Sequence, residues 1–165
     1  MKNTILIVVL LLITVSACIK NDHIDTVPPV IDLAYPTTFP SNCDTLYFGE
    51  TFILKMFFYD NFELGSFNID IHHNFDHHSH STEVMECNAD PVKVPINPFI
   101  MIENYKLPQG VKEYTTQFAI NLPTGNNKGN FDVGDYHLMI RLTDKEGWST
   151  MKGLSIKILH RNPKY

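Results

Sequence analysis

Positive charge is scarce in this sequence. Thirteen Lys and Arg stand against 18 Asp and Glu in 165 residues, a formal net charge of -5. Nucleic-acid binders need a basic footprint, so that class of partner is excluded. Charged residues make up only 19% and hydrophobic ones 44%, which argues against disorder and supplies a core. Catalytic signatures are missing as well. There is no H-E-x-x-H, no nucleophile elbow, no phosphate loop and no dinucleotide fingerprint. Near the histidines only Glu83 and Glu86 offer a general base, so the chain reads as non-enzymatic. No stretch keeps a capped 3.6-residue period, so helices are not expected. The length suits one domain.

What is present begins with an address. Lys2 is followed by the apolar run Ile5 to Ile13 and then by small residues. This is the layout of a secretory signal, and the run is too short to cross a bilayer. Val15-Ser16-Ala17-Cys18 resembles the lipobox of bacterial lipoproteins, in which the cysteine is lipidated and the preceding peptide removed. The expectation is therefore a signal peptide over 1–17 and a lipidated tether over 18–29. The rest, 30–165, would form one domain at the cell envelope, facing the periplasm or the cell surface. The membrane is the partner of Cys18, since each buried acyl methylene adds about 0.8 kcal/mol. The tether is polar and ends in Pro28-Pro29, a stiff extended step.

With Cys18 committed to lipid, Cys43 and Cys87 remain. Outside the cytoplasm two thiols more often pair than stay free. Such a bridge closes a loop of about 45 residues and stabilises by roughly 3–4 kcal/mol in the chain-entropy account. The competing reading makes Cys87 a thiolate ligand near the histidines.

Short apolar or alternating runs recur between Pro, Gly and Asn/Asp turns. Val30–Tyr35 suits an edge strand between prolines. Thr51–Tyr59 suits a central strand, and Ser66–His72 puts Phe67, Ile69 and Ile71 on one face. Tyr114–Leu122, Asp135–Thr143 and Thr150–Leu159 complete the series. Six or seven such strands suggest an antiparallel sandwich. Asn126-Asn127-Lys128-Gly129-Asn130 lacks the regular carboxylates and closing Glu of a calcium loop and reads as a turn.

Asp25-Thr26-Val27-Pro28-Pro29-Val30-Ile31 resembles the opening of many bacterial immunoglobulin-like domains. Gly134 to Asp144 with Gly147 and Trp148 resembles their last hairpin. The whole chain, with lipobox, single domain and I-H-H-N-F-D-H-H-S-H tract, resembles an uncharacterised lipoprotein family of the Bacteroidetes. The resemblance implies an all-β, immunoglobulin-like antiparallel β-sandwich and brings no established activity. Such a sandwich needs about 100 residues. The excess falls in one elaborated connection, an insert around 73–113, and long connections in compact domains are functional or disordered.

That connection begins with histidines. Five of the chain's eight lie in the nine residues from His72 to His80. His72, His73, Asp76, His77, His78 and His80 form H-H-x-x-D-H-H-x-H, and imidazole with a carboxylate is a donor set for zinc or copper. His137 projects from the polar face of a strand expected beside the one that carries His72, and is a possible further ligand. Metal bound this way weakens below about pH 6, where protons compete for imidazole. Two readings follow. One is a lipid-anchored protein that binds zinc or copper for capture, buffering or a metal-gated contact. The other is a non-enzymatic module that binds a protein or glycan through the same loop face.

Overall fold

A computed structural model describes residues 24–79 and 87–161. The expected signal peptide, Cys18 and His80 lie outside the described residues. Twelve strands and no helix make up the regular structure among them. In chain order these are β1 (Val30–Asp32), β2 (Thr45–Phe48), β3 (Glu50–Leu54), β4 (Phe57–Tyr59), β5 (Leu64–His73) and β6 (Met101–Lys106). They continue with β7 (Glu113–Thr115), β8 (Phe118–Leu122), β9 (Gly125–Asn126), β10 (Gly129–Asn130), β11 (Gly134–Asp144) and β12 (Ser149–His160).

One layer of the sandwich is a five-stranded sheet in the order β2-β12-β11-β5-β6. The other consists of β1-β4-β7 and β3-β8, and these two pieces are one interrupted ladder. The antiparallel register continues unchanged from Leu54↔Phe118 to Phe57↔Thr115. Between them the side chain of Thr116 replaces a backbone group. Its hydroxyl accepts from Met56 N at 2.8 Å and donates to Leu54 O at 2.9 Å. Thr116 is fully buried, and this exchange satisfies it.

Alternation decides what lies between the layers. Phe67, Ile69 and Ile71 of β5 and Tyr136, Leu138, Ile140 and Leu142 of β11 point inward. They meet Leu54, Phe58, Ile120 and Leu122 of the opposite layer, with Phe58 and Phe67 rings 5.3 Å apart. Each such side chain stabilises by about 1.5–3 kcal/mol on burial. Tyr136 ties the core to its rim, donating to Asp132 O at 2.6 Å and accepting from Phe99 N at 3.2 Å.

The all-β sandwich agrees with the sequence, but the single strands expected over Thr51–Tyr59 and Tyr114–Leu122 are each split in two by the Thr116 interruption. Two further differences concern pairing. The strand β2 runs parallel to β12, from Thr45↔Lys157 to Phe48↔His160. The chain leaves the second layer after β1 and enters the first alongside its last strand, so this one pair is parallel. The stretch expected to be irregular also contains a strand. β6 pairs antiparallel with β5 as the sheet's edge. Asn126–Asn130 forms the tight β9–β10 hairpin, a turn as expected.

Candidate metal centre

The alternation that fills the core also sorts the histidines. On β5 the inward series Phe67, Ile69, Ile71 leaves Asp70 and His72 on the outer face. On β11 the inward series leaves His137, Met139 and Arg141 on the same outer face. The register then sets His137 directly opposite His72. His137 is 3% exposed and Met139 5%, although both face away from the core. Such burial needs a cover, and the loop after β5 supplies part of it.

That loop is held at several points. Asn74 N donates to Asp135 O at 2.8 Å, and Phe75 plugs into the core rim against Tyr136. The Lys93 ammonium lies 4.2 Å from the Phe75 ring centroid. His77 takes a left-handed backbone conformation, φ +58°, a region His visits more readily than most residues. This reverses the chain and lays the His78 ring over the sheet. The His78 centroid is 5.2 Å from that of His137 and 5.5 Å from that of His72. Further on, Asp90 N donates to Asp135 Oδ2 at 2.6 Å, and Lys157 pairs with Asp90. The Lys157 hydrogen bond to Asp90 raises the ammonium's pKa and keeps it charged. A disulfide joins Cys43 to Cys87, with Cα atoms 5.5 Å apart. Cys43 N donates to Ser155 O at 2.7 Å, and Ser155 faces His137 across the β11–β12 ladder. The bridge therefore staples the connection beside the histidines.

His72, His78 and His137 each bring one ring nitrogen to within 4.8 Å of the others. Ligand nitrogens in a tetrahedral zinc site lie about 3.3 Å apart. The cluster needs only a modest contraction, and His78, carried on the loop, can supply it. Two of the three rings have a carboxylate behind them. Asp70 Oδ1 lies 2.9 Å from His72 Nδ1, and Asp76 Oδ1 lies 2.6 Å from His78 Nδ1. A carboxylate on Nδ1 orients the ring and makes Nε2 a better ligand. The hydrogen bond from His78 holds the Asp76 carboxyl below its usual range, so this partner stays an anion. A shallow groove lined by Asp70, His72, Met139, Arg141 and Met151 opens beside the cluster.

Not every histidine of the tract joins. His73, the next residue on β5, turns to the inner side and stacks on Phe75 at 4.9 Å, because successive strand residues face opposite ways. His77 Nε2 lies 2.9 Å from Asp90 O and away from the cluster. Asp76 stands behind His78 rather than among the rings. His137, the conditional member of the sequence-derived set, is instead central. Cys87 is bonded to Cys43 and is not available as a thiolate ligand. Asp70, a ligand partner absent from the sequence-derived set, carries a usable signal in its position two residues before His72 on the same strand face.

A comparison with curated proteins gives no match. Residues 16–159 match the family model described as a domain of unknown function (DUF4625), and the chain belongs to that family.

Proposed function

We propose that this is a lipid-anchored cell-envelope protein that binds zinc or copper through His72, His78 and His137, for capture, buffering or a metal-gated contact. The observation that carries the reading is the convergence of three imidazoles within 4.8 Å, two of them with carboxylates at Nδ1. Three neutral nitrogens form a borderline donor set that favours zinc or copper over calcium or magnesium. The supporting frame is read as immunoglobulin-like, and the Tyr136 bond back to Asp132 supports that finer assignment. The anchor is the acylated Cys18. Replacing it (Cys18→Ala) should release the protein from membranes, and unchanged membrane association would remove the anchor from the reading.

The test is the metal content and affinity of the purified protein. The native chain should hold close to one zinc or copper per molecule at pH 7.5. The triple variant His72→Asn/His78→Asn/His137→Asn should hold none, and His77→Asn should keep it. Absence of micromolar affinity in the native chain overturns the proposal.

A second reading, a module that docks a protein, has its own support. Val92, Val94, Ile96, Ile100 and Ile102 are all more than 60% exposed along the segment that leads into the edge strand β6. Apolar side chains in sequence beside a strand edge that is unpaired among the described residues favour strand addition by a partner.

A further inference from the structure

Far from the histidines, three acidic residues from separate places in the chain meet. Asp25 precedes the Pro28-Pro29 step, Asp60 follows β4, and Asp144 ends β11. They are 3%, 7% and 5% exposed, and one carboxylate oxygen of each lies within 4.8 Å of the other two. In every case one oxygen is fixed by N–H donors. Asp60 Oδ2 accepts from Phe62 N and Glu63 N at 2.7 and 2.8 Å. Asp144 Oδ1 accepts from Gly147 N and Trp148 N at 2.7 and 2.8 Å. Asp25 Oδ1 accepts from Val27 N at 3.0 Å and from Asn61 Nδ2 at 2.8 Å.

The other oxygens of Asp60 and Asp144 create the need for a ligand. Asp60 Oδ1 and Asp144 Oδ2 are closed off from solvent and have no hydrogen-bond partner among the described residues. Each belongs to a carboxylate of the cluster, and the second oxygen of each carboxylate is already engaged by N–H donors. Buried acceptors are rarely left unpaired, because the desolvation cost is then uncompensated. Like charges this close also repel, the more so without water to screen them. Among the described residues no Lys or Arg forms an ion pair with Asp60 or Asp144. Lys112 Nζ donates to Asn61 O at 2.8 Å, and Lys145 Nζ to Glu63 Oε2 at 2.6 Å.

We propose that Asp25, Asp60 and Asp144 form a hard-cation site that takes calcium. An all-carboxylate donor set selects a hard cation. Calcium tolerates the irregular geometry that three unrelated segments impose, whereas magnesium demands a near-ideal octahedron. The bound ion joins Asp25 to two turns of the sandwich and fixes the angle at which the N-terminal segment leaves the domain. This site does not depend on the histidine reading.

Trp148 provides the measurement. It is the only tryptophan in the chain. Its backbone N–H bonds Asp144, and its indole Nε1 donates to Asp25 O at 3.0 Å. Terbium added to the full chain should therefore give tryptophan-sensitised emission that calcium displaces, with magnesium at least tenfold less effective. Asp60→Asn and Asp144→Asn should each weaken terbium binding by tenfold or more. The triple histidine variant should keep its emission. A melting series covers the case in which an Asn variant does not fold. Calcium in hundredfold excess over its Kd should raise the native chain's Tm by about 10 °C relative to chelator. No sensitised emission, emission unchanged in both Asn variants, emission lost with the histidines, or a Tm indifferent to calcium would each overturn the proposal.

Discussion

At the His72–His137 end of the β5–β11 ladder, imidazoles gather and the carboxylates of Asp70 and Asp76 stand behind two of them. At the Leu64–Asp144 end, carboxylates gather and backbone N–H groups stand behind them. The supporting group decides what the front group can offer. An imidazole bonded to a carboxylate is a stronger nitrogen donor. A carboxylate with one oxygen held by N–H groups presents the other in a fixed direction. The ends also differ in how they close. The histidine end takes one member from a loop turned by a left-handed residue, so it can adjust. The aspartate end takes two of its members from tight turns at strand ends, so it is set when the sandwich forms. His137 and Asp144 are seven residues apart on one strand, about 23 Å at roughly 3.3 Å per residue. At that distance changes at the two ends should be additive.

The largest expected difference between the ends comes from the disulfide. The Cys43–Cys87 bridge stands beside the histidines and closes a long loop. Cys43→Ser/Cys87→Ser should lower stability by roughly 3–4 kcal/mol, read by denaturant unfolding. In the fraction that remains folded, zinc or copper affinity should fall while the calcium response persists. Equal loss at both ends would mean that the bridge supports the whole sandwich and not one site. Next in size is His137→Asn. As one of the three proposed ligands it should cost more than the 10–100-fold typical of outer-shell partners, with terbium emission unaltered. Asp70→Asn should fall within that 10–100-fold range, because it removes only the group that orients His72. An Asp70→Asn effect as large as that of His137→Asn would make Asp70 itself a ligand.

How much of this was legible in the sequence follows from which residues are buried. Phe67, Ile69 and Ile71, and Tyr136, Leu138, Ile140 and Leu142, alternate because one face is core, so β5, β11 and the shared outer face of His72 and His137 could be read off. β6 could not. It is an edge strand whose side chains stay largely in solvent, so no apolar period marks it. The break between β3 and β4 depends on a hydroxyl from Thr116, some sixty residues away, and leaves no local trace. Composition alone groups His73 with the ligands, whereas the strand runs through residue 73 and sends it to the other face. The aspartate cluster was hidden for a different reason. Asp60 signals a turn because it accepts N–H bonds two and three residues on, and Asp144 does the same three and four residues on. That signal uses one oxygen and says nothing of the other. Only closure of the sandwich brings the carboxylates of Asp60 and Asp144 to Asp25.

The smallest effect on metal affinity separates the two faces of the histidine end itself. Tyr136 and His137 are adjacent, but Tyr136 faces the core, fully buried, with its hydroxyl between Asp132 O and Phe99 N. Burial pushes the phenol up to about 12 from an ordinary value of 10. The folded protein thus keeps this proton where the unfolded chain gives it up. Its contribution to stability is complete below pH 10 and is lost as pH rises from there towards 12. An alkaline absorbance titration should show a phase from Tyr136 that ionises late and together with loss of the fold. Tyr136→Phe should cost about 1–3 kcal/mol at neutral pH by leaving Phe99 N and Asp132 O without their partner, and should remove the late phase. Its effect on zinc or copper affinity should be slight, because the hydroxyl it deletes lies on the core side of β11 and the imidazoles on the other. Absence of a late phase that Tyr136→Phe removes, with the fold intact, would show that the Tyr136 hydroxyl is open to water, and the core beneath the candidate metal centre would then be looser than its packing implies.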